Sequence, residues 1–456
     1  MKYDRPVTAA RVRAWLGAFV ALCVVTGIAL LAWPNTSTAP GQGAVASSPN
    51  PQGDATGAAK STAVRGLLQR RADALLHHDK KAFLATVDPK ATAAFRTTQT
   101  NLFDNLAGVP LGHWAYRINP VDAVDPAALR PADPADLAGP AARGDELWAP
   151  RTDLDYALRG VDAQPTTKTM GYLYVRRGAQ WYLRSDTALD RTDRRTWRGP
   201  WDFAPAKELT TKRGFVLYHP GDEEMARRLA DELDSAVQAV SNVWGTNWPM
   251  RVAMVLPATA TEMRALVGPD FPINAVVAVS VADHVDRDHH TVQGQRVVFS
   301  PNGSRGLSPV ALRVVVRHEF THIAARADTV DGTPLWVLEG FADYVGYRTS
   351  GVELAQGAPD LAQQVAAGQA PSGLPTDAAF RSSGHELDLA YQQAWTVMKF
   401  LGDKFGQAKL VQVYRALAGA GAQPGEKLDQ QLRGLIGMDR TALVAEWREY
   451  LRRQLG

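Results

Sequence analysis

SPVALRVVVRHEFTHIAARADTVDGTPLWVLEGFADYVGY, residues 308–347, is the stretch on which the reading of this chain turns. Ser308 and Pro309 offer an N-cap and a first-turn proline for a helix expected to run to about Ala327. His318 and His322 then lie about 40° apart on one face, one turn from each other. Two imidazoles so placed can converge on one ion, with nitrogens at about 2.0–2.1 Å. Glu319 projects from the neighbouring strip, where it can hydrogen-bond a water at that ion. The helix pattern sharpens the point. Ala311, Val315, His318 and His322 form one row, and Leu312, Val316, Glu319 and Ile323 form the next; Arg313 and Arg317 fall off both. The three polar groups therefore sit on the apolar face, where unpaired charge costs on the order of several kcal/mol. A divalent ion satisfies all three.

A third ligand follows in sequence. Asp331-Gly332 makes a turn, Thr333 is the expected N-cap, Pro334 suits the first helical position, and LWVLEGFADYVGY reads as a second helix. Glu339 stands one turn into it. Asp343 is on the same face one turn later, placed to accept the free ring N–H of a ligand histidine. Two His and one Glu leave a fourth position for water, as catalytic zinc sites do, whereas structural sites are closed by four protein ligands.

HEFTH followed at this distance by WVLEGFADY resembles the gluzincin, peptidase-MA-like, zinc metallopeptidases over roughly 205–456. The resemblance implies one Zn2+ per chain on His318, His322 and Glu339, with Glu319 as general base and Asp343 behind a ligand histidine. It also implies an oxyanion donor downstream, for which Tyr391 in LDLAYQQAWTVMKFL and His385 are the candidates, Tyr391 being preferred. A strand just before the first helix is expected to pair with extended substrate, and Arg296–Ser300 occupies that place. The Gly-x-Met-Glu-Asn segment of the aminopeptidase branch is absent from the sequence, so aminopeptidase activity is not implied.

Working outward, Gly214–His219, Arg251–Leu256, Ala275–Val281 and Arg296–Ser300 read as strands and Asp222–Trp244 as a long amphipathic helix. From 353 the chain reads as mostly helical, with Gly/Pro-rich breaks near 357–375 and 418–425. A mixed sheet and a helical C-terminal half are thus expected for 205–456. The loop with Asp283, His284, Asp286, Asp288, His289 and His290 is polar, but without helical spacing its groups read as solvated.

Upstream, 61–200 reads as a separate α+β domain. Val64, Leu67, Leu68, Leu75 and Leu76 recur at helical spacing, and a shorter helical pattern covers Phe83 to Val87. Strands are expected at Trp114–Ile118, Tyr156–Leu158, Gly171–Arg176 and Trp181–Arg184, the last two joined through Arg177-Gly178-Ala179. This order, ending in GYLYVRRGAQWYLRSD, weakly resembles the nuclear-transport-factor-like cone fold, which implies a pocket that His113, Trp114 and Trp181 could line; core aromatics and a surface histidine are the plainer reading. Residues 191–206, dense in Arg, Trp and Pro, read as a junction.

At the start of the chain, 14–33 is an uncharged apolar run about as long as a membrane span, with Trp15 and Trp33 at its ends. Lys2, Arg5, Arg11 and Arg13 precede it and no Lys or Arg follows until Lys60, which orients 1–13 to the cytoplasm. The competing reading is a cleaved signal peptide. Residues 34–60 read as a flexible tether. Cys23, the sole cysteine of 456 residues, excludes an intrachain disulfide and a cysteine zinc site. A net charge of +3 with interspersed signs gives no argument for nucleic acid. The expectation is an α+β, membrane-anchored zinc peptidase, single-pass in the cell membrane with its catalytic part outside, acting on peptide or protein substrates. The alternative is a catalytically inactive extracytoplasmic binding or sensor protein on the same fold.

Overall fold

The structure is a computed structural model and describes residues 51–456 except 132, 270, 274 and 275, with backbone alone for 51–56. It divides between Glu208 and Leu209 into two compact units. The expected tail, membrane segment and Cys23 lie outside the described residues. Among the described residues no helix is long and apolar enough to cross a membrane. The single transmembrane helix at 14–33, and the cell-membrane localisation drawn from it, are corrected accordingly.

The first unit opens with helices α1 (Pro51–Leu76), α2 (Lys80–Leu84) and α3 (Ala93–Asn105). Residues 51–60, expected as tether, are thus helical. A sheet follows from β1 (Leu111–Val124), with α4 (Ala135–Ala141) between it and β2 (Leu147–Leu158), then β3 (Thr166–Met170), β4 (Leu173–Arg177) and β5 (Gln180–Ser185). The order is β1-β2-β4-β5 with β3 also on β2, all antiparallel. The β4–β5 hairpin turns on Gly178, whose φ of +59° suits glycine. His113 is exposed, while Trp114 and Trp181 are buried. The 191–206 stretch packs into this unit, with Trp197 stacked on Tyr156 and Trp201 edge-on to Trp114.

Helix α3 was not legible because its inward row is broken by a polar residue. Phe95, Gln99, Leu102 and Phe103 are buried together. Gln99 accepts from the fully buried Arg71 and donates to Asp186 (3.2 Å), which pairs with Arg198 (2.8 Å). The network satisfies groups that would otherwise be costly to bury. Strand β1 outran its expected end because a bulge between Asn119 and Ala123 absorbs Pro120, which has no N–H for the ladder.

Strand β6 (Lys207–Thr211) spans the division, and β7 (Gly214–Tyr218) follows it in the second unit. Helix α5 (Glu223–Trp244) then crosses over to β8 (Val252–Leu256), which lies parallel to β7 as such a crossover requires. The inner face of α5 carries Met225, Leu229, Leu233, Ala236, Val240 and Val243, all buried, at helical spacing. After α6 (Ala260–Val267) come β9 (Ala278–Val281), the small hairpin β10 (His284–Asp286) and β11 (Thr291–Gln293), and β12 (Arg296–Phe299). The main sheet runs β6-β7-β8-β12-β9, with β12 parallel to β8 and antiparallel to β9. Every residue of β8 and β12 is buried, hence the apolar run of β8 and the Val297–Phe299 run of β12, with Arg296 a buried charge at its start. Val297 faces Met254 on one side and Ser280 on the other, so both edges of β12 are taken. The expectation that Arg296–Ser300 receives substrate is corrected: beyond β12 the edge of the sheet is β9.

Helices complete the unit: α7 (Pro309–Ala325), α8 (Leu335–Tyr347), α9 (Leu354–Gly357), α10 (Pro359–Ala366), α11 (Asp377–Phe380), α12 (His385–Phe405), α13 (Gln407–Ala420), α14 (Gly425–Ile436) and α15 (Arg440–Leu455). Helix α7 packs against both α5 and α8, and α12 packs along α8.

Candidate metal centre

Ser308 Oγ accepts from the Ala311 N–H at 3.2 Å, and Pro309 holds the first position, so α7 starts where the sequence indicates. Both rows of its inward face are buried as far as His318 and Glu319; His322 is partly exposed. Arg313 turns outward to Glu232 (3.1 Å). Arg317 folds against the protein instead, donating at 2.8 Å to the Arg348 carbonyl just past the end of α8. That bond ties the two ligand helices together, and no motif announced it.

Helix α8 is buried from Trp336 through Tyr347. Its start differs from expectation. Thr333 Oγ1 donates to the carbonyls of Val330 (2.7 Å) and Ala418 (2.8 Å), so it is not the cap. The Leu335 N–H donates to Asp377 Oδ1 at 2.9 Å, across 42 residues of sequence. Asp377 gave no signal because it follows Thr376, the cap of its own short helix α11.

The two helices bring His318, His322 and Glu339 to one point. His318 Nε2 lies 3.0 Å from His322 Nε2. Glu339 Oε2 lies 3.3 Å from the first nitrogen and 3.7 Å from the second. Tetrahedral zinc with ligand distances of about 2.0–2.1 Å separates its ligand atoms by about 3.3–3.4 Å. The three separations bracket that value, so the donor set fits the ion. Asp343 Oδ1 is 2.8 Å from His318 Nδ1. It holds the ring proton on Nδ1 and leaves the Nε2 lone pair directed at the shared point.

Electrostatics agree with a cation-seeking centre. Burial alone lowers the His318 pKa, but Asp343 and then Glu339 outweigh it and push it up to about 10. Glu339 is held down at about 2, His322 and His318 overcoming its burial. A proton and a divalent ion compete for the same Nε2 lone pair. Glu319 is fully buried, and burial raises its pKa against the pull of both histidines. Its Oε2 accepts from Ser280 Oγ at 2.7 Å, while Oε1 is buried with no hydrogen-bond partner. An unsatisfied carboxylate oxygen beside a metal-ligand triangle is costly unless it serves a bound group.

Asp343→Asn is expected to weaken zinc binding about 10- to 100-fold, because the amide no longer enforces the His318 tautomer. Competition against a chromophoric chelator measures it.

The remaining sequence candidates lie on α12 and in the loop around the β10–β11 hairpin. Tyr391 is in α12, buried edge-on against Phe380 at 5.1 Å between ring centres. His385 begins that helix, exposed, with Nδ1 3.7 Å from Asp360. In the polar loop, His289 pairs with Asp286 (2.8 Å) and His290 with Asp328 (3.5 Å). Among the described residues, His318, His322 and Glu339 are the group able to hold a metal ion.

No protein-family model matches this sequence, and no curated protein does. Solved structures do align. One is a mutant two-domain M1 zinc metallopeptidase bound to L-tryptophan, at 15% identity over 53% of this chain and 50% of that one, TM-score 0.29. Another is an M1 zinc metallopeptidase from Deinococcus radiodurans, at 15% identity over 62% and 58%, TM-score 0.27. A mutant of the Deinococcus radiodurans protein bound to a Tyr-Ser-Ala substrate gives 16% identity over 55% and 50%, TM-score 0.27. The matches span about half the length of those solved chains. Scores this low leave the functional reading to the geometry of the site itself.

Proposed function

We propose that this chain is a zinc-dependent peptidase, with His318, His322 and Glu339 holding one Zn2+ and Glu319 acting as general base. The observation that carries the reading is the ligand triangle, with its tautomer fixed by Asp343 and a buried, unpartnered Glu319 oxygen beside it. Zinc held there would supply a Lewis acid that polarises a peptide carbonyl and acidifies a water. Glu319 Oε1 takes the proton of the attacking water and delivers it to the departing nitrogen. Asp343 keeps His318 oriented throughout by holding the Nδ1 proton. Burial raises the Glu319 pKa, which makes its carboxylate a stronger base than an exposed one.

An extended peptide is proposed to lie along the outer edge of β9, which no described strand occupies. The partly exposed His322 marks the side from which it reaches the centre. Tyr391 remains the proposed donor to the developing oxyanion; the exposure of His385 and its pairing with Asp360 weigh against that residue.

Metal removal tests the proposal. Dialysis against a chelator should abolish cleavage of a quenched-fluorescent peptide library, and stoichiometric Zn2+ should restore it. Cleavage that persists in metal-free protein would refute it.

A further inference from the structure

The carboxylate of a general base must present a chosen oxygen, yet the terminal torsion of a glutamate is broad and permits either. At Glu319 one contact makes the choice. Ser280 lies on β9, opposite Val297 of β12, and its Oγ reaches 2.7 Å to Glu319 Oε2. Ser280 Oγ also lies 2.9 Å from the Glu319 main-chain carbonyl, the longer of the two contacts its single hydroxyl proton can serve, so the strand is registered on this turn of α7.

We propose that Ser280 is a positioning residue, its hydroxyl holding Oε2 on the strand side so that Oε1 faces the reacting atoms. The inference rests on Glu319 being the base. A hydroxyl donating to a buried carboxylate is among the stronger neutral-to-charged hydrogen bonds. Without it the Glu319 side chain would have neither oxygen bound to a side-chain donor, and its orientation would be set by packing alone. Because Ser280 belongs to the edge strand, an extended chain seated on β9 is indexed to the base through a single side chain. Strand docking and base orientation are then one arrangement.

The test compares Ser280→Ala and Ser280→Thr with wild type in the full chain loaded with zinc. Ser280→Ala should lower kcat on a quenched-fluorescent peptide library about 10- to 100-fold, with KM and zinc content unchanged. Ser280→Thr, which keeps the hydroxyl, should restore most of the loss. Crystal structures supply a readout that needs no turnover: the Glu319 carboxylate should rotate or split in Ser280→Ala and keep its wild-type orientation in Ser280→Thr. A wild-type kcat, or an unmoved Glu319, in Ser280→Ala would overturn the assignment. If the wild type cleaves no peptide, the peptidase proposal falls, and the Glu319 orientation in the two variants still decides the role of Ser280.

Discussion

Glu319→Gln is expected to lower peptide cleavage by about 10²–10⁴-fold while the protein still binds about one zinc per chain. The amide matches the carboxylate in shape and keeps an oxygen to accept from Ser280, now 2.7 Å from Oε2. It cannot take a proton from water. Because burial disfavours the Glu319 charge, removing that charge relieves desolvation, and the melting temperature should hold or rise. Three measurements therefore move differently: cleavage falls, bound metal stays, stability does not drop. Equal cleavage by variant and wild type would remove Glu319 as the base.

The second large effect comes from a residue with no polar atom on its side chain. Gly340 follows the proposed ligand Glu339 at the point where α8 packs along α12. A Cβ there would lie on the carbonyl oxygen of Ala394, 2.8 Å from the Ala394 carbonyl carbon and 3.0 Å from Met398 Cγ. Two of these three atoms are backbone, so Gly340→Ala must push the helices apart. Overpacking of this kind costs about 1–3 kcal/mol, which in a unit of this size lowers the melting temperature by roughly 2–12 °C. The displaced α8 carries Glu339 with it, so zinc content should fall well below one per chain. Gly434→Ala is the control. It sits within α14 with nothing within 4 Å of an added Cβ, and alanine favours a helix interior, so stability should hold or rise. Normal zinc in Gly340→Ala would show that the crossing does not set the ligand distances.

The residues of the proposed centre were more legible than their supports, for a physical reason. His318, His322, Glu319 and Glu339 announce themselves because polar groups recur at helical spacing on faces otherwise fit for burial, and Ser308-Pro309 fixes where the first helix begins. The supports act across long stretches of chain and carry no local period. Asp377 caps α8 from 42 residues away, Arg317 ties off the end of the same helix, and Ser280 is one hydroxyl in an apolar strand. The expected substrate strand failed because sequence order does not reveal which strand ends at a sheet edge; β9 precedes β12 in the chain but lies outside it. In the first unit, α3 was hidden by Gln99, which is buried for the sake of Arg71 rather than for its own apolarity.

The remote capping of α8 has a consequence for how the protein comes into being. A chain synthesised only as far as residue 350 already contains every proposed zinc ligand. It lacks the Asp377 carboxylate that takes the Leu335 amide and the α12 backbone against which Gly340 rests. The histidine helix can form early and already holds its glutamate counterpart through Arg317 and Asp343, but that second helix lacks its N-terminal cap and its α12 packing until some fifty further residues have emerged. On the proposed zinc site, full metal competence is expected late in biogenesis, once the C-terminal helices have closed over a sequence translated well before them.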